Sequence, residues 1–144
     1  MYKALEIAKY IIDKCTRENN PISDLQLQKI LYYIQVNFLR QYNAPAFSDA
    51  IITNKYGPVV ETVYDEYKIY GAMPICLLFD HSKSKFTSDE KKVVDWVIEK
   101  CSELNPWDLV RKTHQKGTPW DTTVEKSGLE SEIDLQIIRK WALQ

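Results

Sequence analysis

Histidine, glycine and net charge are all scarce in this sequence of 144 residues, and each scarcity removes a class of function. Its two histidines, His81 and His114, have no helical partner at metal-ligand spacing. The three cysteines, Cys15, Cys76 and Cys101, are far apart and form no Cys-x-x-Cys pair. Neither a metal site nor a disulfide framework is expected, and Cys15 and Cys101 read as small hydrophobes on apolar helix faces. None of the four glycines opens a Gly-rich turn followed by Lys-Ser/Thr, so there is no phosphate cradle. A formal net charge of −1 excludes a broad basic footprint for nucleic acid. Lys83, Lys85, Lys91 and Lys92 come closest to a cluster, but Asp89 and Glu90 interrupt them as on a solvated helix entrance. No apolar run approaches the roughly 18 residues that cross a bilayer, and the N-terminus opens directly into an amphipathic pattern. A cytoplasmic protein with no membrane contact is expected.

Catalytic constellations are missing as well. Asp65-Glu66 and Asp89-Glu90 are neighbours that point apart on a helix, as surface charge and capping residues do. No local signature joins Cys15 or Cys76 to His114 as nucleophile and base. The reading is therefore no enzyme, no catalytic residue and no cofactor.

What is present suits a globular chain: 44% apolar and 27% charged residues, with length for one domain spanning 1–144. Apolar spacing predicts helices over 2–17, from Ser23 or Asp24 to about 42, from Pro58 to about 70, from Thr87 to about 104, from Asn105-Pro106 to before Gly117, and over 133–143. Thr87 with Glu90 makes a capping box, and Asn105 caps a helix whose first turn holds Pro106. Residues 47–54 read as extended. The run 75–79 suits either a buried strand pairing with 48–54 or a loop packed on the core. Residues 116–130, with Pro119-Trp120, look polar and irregular. The expected fold class is mostly α: a single compact helical domain of about six helices with at most a short two-stranded β element.

In the second helix Leu27, Ile30, Leu31, Ile34 and Phe38 form the inward stripe, while Gln26, Lys29, Tyr33, Asn37 and Arg40 fall on the opposite side. That helix is expected to be central. The sequence holds nine tyrosines and four tryptophans, residues enriched at protein interfaces. Tyr64 and Tyr67 read as core residues. Lys29, Tyr33 and Arg40, a mix of aromatic and cationic groups, are candidate partner contacts, extended by Tyr56 and Trp120 in predicted turns. Gly57 marks an abrupt change of direction, with Pro58 preset for a first helical turn.

Four short segments, in order, carry a resemblance: Gln26-Leu27-Gln28-Lys29-Ile30-Leu31-Tyr32-Tyr33, Gly57-Pro58-Val59, Thr113-His114 and Pro119-Trp120. Together they resemble the Panacea domain, the family of SocA-like antitoxins of bacterial and prophage toxin–antitoxin pairs. The likeness runs from Ala8-Lys9-Tyr10-Ile11-Ile12 to Trp141. Gln26 replaces the first lysine of the family's Lys-Leu-Gln-Lys-Leu-Leu-Tyr-Tyr motif, and Tyr64 matches the tyrosine after Gly-Pro-Val. Asn54 and Lys55 stand where an aromatic residue often precedes that motif, a departure that alters the partner surface. The resemblance gives Leu27, Gln28, Leu31, Tyr32, Gly57, Pro58, Val59, Thr113, His114 and Pro119 structural roles. It implies an antitoxin that neutralises a co-encoded toxin by direct protein contact. An adaptor delivering the toxin to a Clp-type protease is the alternative it brings in, and a phage-associated DNA-binding regulator stands third. With no helix-turn-helix beyond the shared domain, DNA contact by this chain is not expected.

Overall fold

A computed structural model describes residues 1–144, the side chain of His81 excepted. Helix α1 (Ala4–Arg17) turns Ala4, Ile7, Ala8, Ile11, Ile12 and Cys15 inward. Helix α2 (Asp24–Tyr42) starts at Ser23, whose hydroxyl accepts from the Gln26 amide while the Gln26 side chain accepts from the Ser23 amide. Gln26, where the family motif has lysine, thus completes the capping box, which an ammonium, having no acceptor, could not do. Asn43, left-handed at φ 51°, ends the helix.

Strands β1 (Ile51–Asn54) and β2 (Gly57–Val60) form an antiparallel hairpin in which Ile51 faces Val60 and Asn54 faces Gly57. Helix α3 (Glu61–Tyr67) follows directly and tightens into a 3-10 turn over Lys68–Tyr70. Beyond an extended stretch come α4 (Ser88–Ser102), α5 (Pro106–Thr113), α6 (Pro119–Ser127) and α7 (Leu135–Ala142). The chain is 59% helical, with seven α-helices and one short two-stranded sheet among the described residues. Among the described residues no helix is long and apolar enough to cross a membrane.

Helix α2 is the axis. Helices α1, α3, α4, α5 and α7 and strand β2 all pack on it. Leu27, Leu31, Ile34 and Leu39 are wholly buried, and the core continues through Phe47, Val63, Ile75, Val94 and Ile138. Full burial of each such side chain stabilises by about 1.5–3 kcal/mol, so α2 anchors most of the fold.

Several expectations change. Pro58 lies in β2, and α3 begins at Glu61, so Pro58 does not start the helix. Strand β1 pairs with β2, while 75–79 forms no strand: Ile75 is buried, its amide bonded to the Ile22 carbonyl, and Cys76 and Leu78 are exposed. The core-packed loop is the form realised. Residues Pro119–Ser127, read as irregular, are helix α6, capped by the Thr118 hydroxyl with Pro119 in its first turn. That raises the helix count from about six to seven. Tyr67 is buried as expected, but Tyr64 is 44% exposed because Val60 and Val63 occupy the inward arc beside it. Cys15 and Cys101 are buried free thiols, and Cys76 is an exposed one. His81 falls in a 3-10 turn, and its side chain lies outside the described residues.

Both sides of the hairpin are covered. Along β1, the Thr53 amide donates to the Ser131 carbonyl and the Ile133 amide donates to the Ile51 carbonyl, each at 2.8 Å. Along β2, the Val60 amide donates to the Gln28 side-chain oxygen at 2.8 Å, and the Pro58 carbonyl accepts from Lys29 Nζ at 3.2 Å. Pro58 has no N–H to leave unpaired on that outer side.

Candidate functional site

The short segments singled out in the sequence converge on the hairpin turn. Lys55 and Tyr56 make the turn at ordinary negative φ, and Gly57 alone takes φ +116°. A Cβ at Gly57 would lie 2.7 Å from Lys29 Cε and 2.7 Å from Thr113 Oγ1. Gly57 is therefore fixed twice, by backbone conformation and by close approach of α2 and α5. The Thr113 hydroxyl donates to the Val110 carbonyl within α5, which keeps its oxygen against Gly57.

His114 and Trp120 grip the turn from the other side. His114 Nε2 lies 2.9 Å from the Lys55 carbonyl and Nδ1 lies 2.7 Å from the Val110 carbonyl. A ring carrying both protons donates to both carbonyls, whereas a neutral ring serves one. Trp120 Nε1 donates to the Asn54 carbonyl at 2.9 Å, and its ring lies 3.8 Å from that of His114 at 38°. The Thr118 hydroxyl donates to the Thr113 carbonyl at 2.8 Å, tying the start of α6 to the end of α5. Asn54, Lys55 and Gly57 are thus held by side chains from α2, from α5 and its C-cap and from α6, while the Tyr56 amide donates to the Asn54 side chain at 3.2 Å.

Lys29 occupies the centre of this arrangement and corrects the expected outward face. It is wholly buried, with its amine donating to the Pro58 carbonyl. Burial pushes that amine down from 10.5 to about 7, partly offset by the carboxylate of Asp24. Asp24 is itself buried, which raises its carboxyl above the usual range, and it accepts from Gln28 at 3.2 Å. Tyr33 is also interior, only 8% exposed, in edge-to-face contact with Tyr32 and under the Lys112 ammonium. Burial raises the pKa of both hydroxyls strongly. Because α2 is enclosed on all sides over residues 27–36, its polar side is there a second buried side, and Lys29 and Tyr33 leave the list of exposed contacts.

The remaining candidates separate. Arg40 is exposed and donates through Nε to the Ala142 carbonyl at the end of α7. Tyr56 is 40% exposed at the hairpin tip, with Lys55 over its ring, and Trp120 is half-buried in α6, not in a turn. Leu27, Gln28, Leu31, Tyr32, Pro58, Thr113 and Pro119 are buried, and Val59 and His114 are partly so. Sequence reasoning missed Trp107, which is 55% exposed and meets Tyr56 edge-to-face at 5.7 Å. Its signal was available: a tryptophan in the first turn of a short helix, off the Leu109–Val110–Thr113 side that faces inward. Among the described residues no group of three His, Cys, Asp or Glu side chains is gathered to hold a metal.

The sequence motifs of this mostly helical module thus brace one hairpin, whose tip turns the aromatic rings of Tyr56 and Trp107 outward. The chain belongs to the antitoxin SocA-like, Panacea domain family, whose model matches residues 27–121. It is 26% identical over 149 residues to antitoxin SocA of Caulobacter vibrioides (strain NA1000 / CB15N), a likeness covering 95% of this chain and 78% of that protein. No solved structure matches it.

Proposed function

We propose that this chain is the antitoxin of a bacterial or prophage toxin–antitoxin pair and neutralises its cognate toxin in the cytoplasm by direct protein–protein contact. The observation that carries this reading is the braced hairpin tip in a chain of an antitoxin family. The motif side chains Lys29, Thr113, His114 and Trp120 are directed at holding the turn. The turn presents Tyr56 against Trp107, both substantially exposed, with the Lys55 ammonium above. A preorganised aromatic pair loses little entropy on binding and suits an interface anchor. Tyr56, Trp107 and the exposed edge of Trp120 are the proposed toxin contacts at this end, with Arg40 a further one on α2.

The experiment is a titration of purified antitoxin into the toxin encoded by the adjacent reading frame, with no protease present. Inhibition should rise in proportion to the toxin bound. Tyr56→Ala should weaken binding by about thirty-fold, the equivalent of about 2 kcal/mol, with little change in melting temperature. Protection seen only in cells containing a Clp-type protease, with toxin levels falling, would replace sequestration by the adaptor mechanism.

A further inference from the structure

A recess opens on the flank formed by α2, α4, α5 and α7, with a volume of about 210 Å³. Its walls combine the aromatic rings of Tyr33 from α2, Trp96 from α4 and Trp141 from α7 with aliphatic side chains such as Val36 and Leu109. Trp96 is 51% exposed on a helix whose inward positions are Val94, Val97, Ile98 and Cys101, so its exposure is not shared with the core stripe. The recess is too small for a drug-sized ligand or cofactor, whose sites run to about 300–1,000 Å³, and suits one apolar side chain.

The rim has one sign of charge. Arg40, Lys100 and Lys112 line it, and no lining residue is an aspartate or glutamate. Lys100 has Glu103 at 3.7 Å, an exposed pair of little strength. Arg40 uses Nε on the Ala142 carbonyl, which fixes the guanidinium at the rim, and Lys112 stands over the Tyr33 ring, 5.1 Å from its centroid. In a chain of net charge −1, three cations around an aromatic recess form a local concentration of positive charge.

We propose that this recess receives an apolar side chain carried on an acidic segment of the toxin, whose Asp or Glu residues meet Arg40, Lys100 and Lys112. The proposal rests on the antitoxin reading and names the chemistry of the partner at a point separate from the hairpin tip. Aromatic walls supply contact area for the anchor, and the cations select its flanks and speed encounter. The acidic residues serve specificity, since a basic segment would be repelled by the same rim.

The test uses the purified full chain and the purified product of the adjacent reading frame, with affinity and melting temperature measured for each variant. Lys100→Glu combined with Lys112→Glu should weaken binding at least tenfold, as should Trp96→Ala, with melting close to wild type because all three side chains are exposed. The charge reversal Lys9→Glu on α1, outside the recess, should change affinity less than threefold. Wild-type affinity should fall as salt is raised from about 0.05 to about 0.5 M, and the double variant should lose that dependence. Wild-type affinity in both recess variants, with toxin still bound, overturns the recess and leaves the antitoxin reading standing. Failure of the wild-type chain to bind the toxin at all overturns both.

Discussion

Replacing Lys29 by methionine tests the central feature of the structure, a lysine wholly enclosed beside the hairpin. Methionine keeps an unbranched chain of similar length and removes only the titrating amine and its bond to the Pro58 carbonyl. Burial holds the amine at about 7, whereas the unfolded chain has the ordinary value of 10.5. Between those values the unfolded state binds a proton that the native state has released. Stability therefore rises with pH, by up to about 1.4 kcal/mol per unit. From pH 7, where the native amine is half-protonated, to pH 9 the wild type should gain about 2 kcal/mol. The buried thiols oppose this gain from about pH 8 upward, removing about 0.8 kcal/mol of it by pH 9. Cys15 and Cys101, raised from 9.0 to about 11 and about 12, keep protons that the unfolded chain loses. Urea unfolding at pH 7, 8 and 9 should give a rising free energy for the wild type and a level or slightly falling one for Lys29→Met. The variant carries a roughly constant loss of about 1 kcal/mol for the unpaired carbonyl. Parallel slopes would refute the reasoning, since Lys29 would then titrate as an ordinary lysine.

Gly57→Ala should destabilise by about 2–4 kcal/mol, because it meets both positive φ and a contact at 2.7 Å, and urea unfolding at pH 7 measures it. Trp120→Phe keeps the ring on His114 but removes the N–H bonded to Asn54; a loss of about 1–3 kcal/mol is expected, with faster amide exchange at Lys55 and Tyr56. Of the three thiols, Cys76 should react promptly with a thiol reagent in native buffer, while Cys15 and Cys101 should wait for unfolding. Equal reaction of all three would contradict the buried core.

Local signals were the legible ones. Ser23, Thr87 and Asn105-Pro106 each cap a helix as their side chains predict, because a cap needs only residues within one turn. Thr118-Pro119 obeys the same rule as Asn105-Pro106, yet the polar composition of 116–130 concealed the helix behind it. Pro58 misled in the opposite way. A fixed φ and a missing N–H suit a first helical turn, and they suit equally the outer side of an edge strand, where this proline sits. Lys29 and Tyr33 could not be placed from periodicity, which separates the two sides of a helix but cannot say that both are covered. That depends on β2, α5 and α7 arriving from far along the chain. The hairpin cluster was visible as a set of ordered motifs, while its purpose required the contacts among them.

The covering on both sides of the hairpin limits how a toxin can be recognised. Residues 130–133 occupy the backbone groups along β1, and Gln28 and Lys29 occupy those along β2. An incoming strand would find no row of free amides and carbonyls on either side of the hairpin, so β-augmentation, in which an extended peptide joins a sheet edge, is closed at this sheet. The same covering removes the template through which exposed strands aggregate. Recognition at the hairpin is left to side chains, whose identity can change without rebuilding the backbone. On the contacts proposed above, substitutions at the tip and rim would re-address the scaffold to partners of another shape.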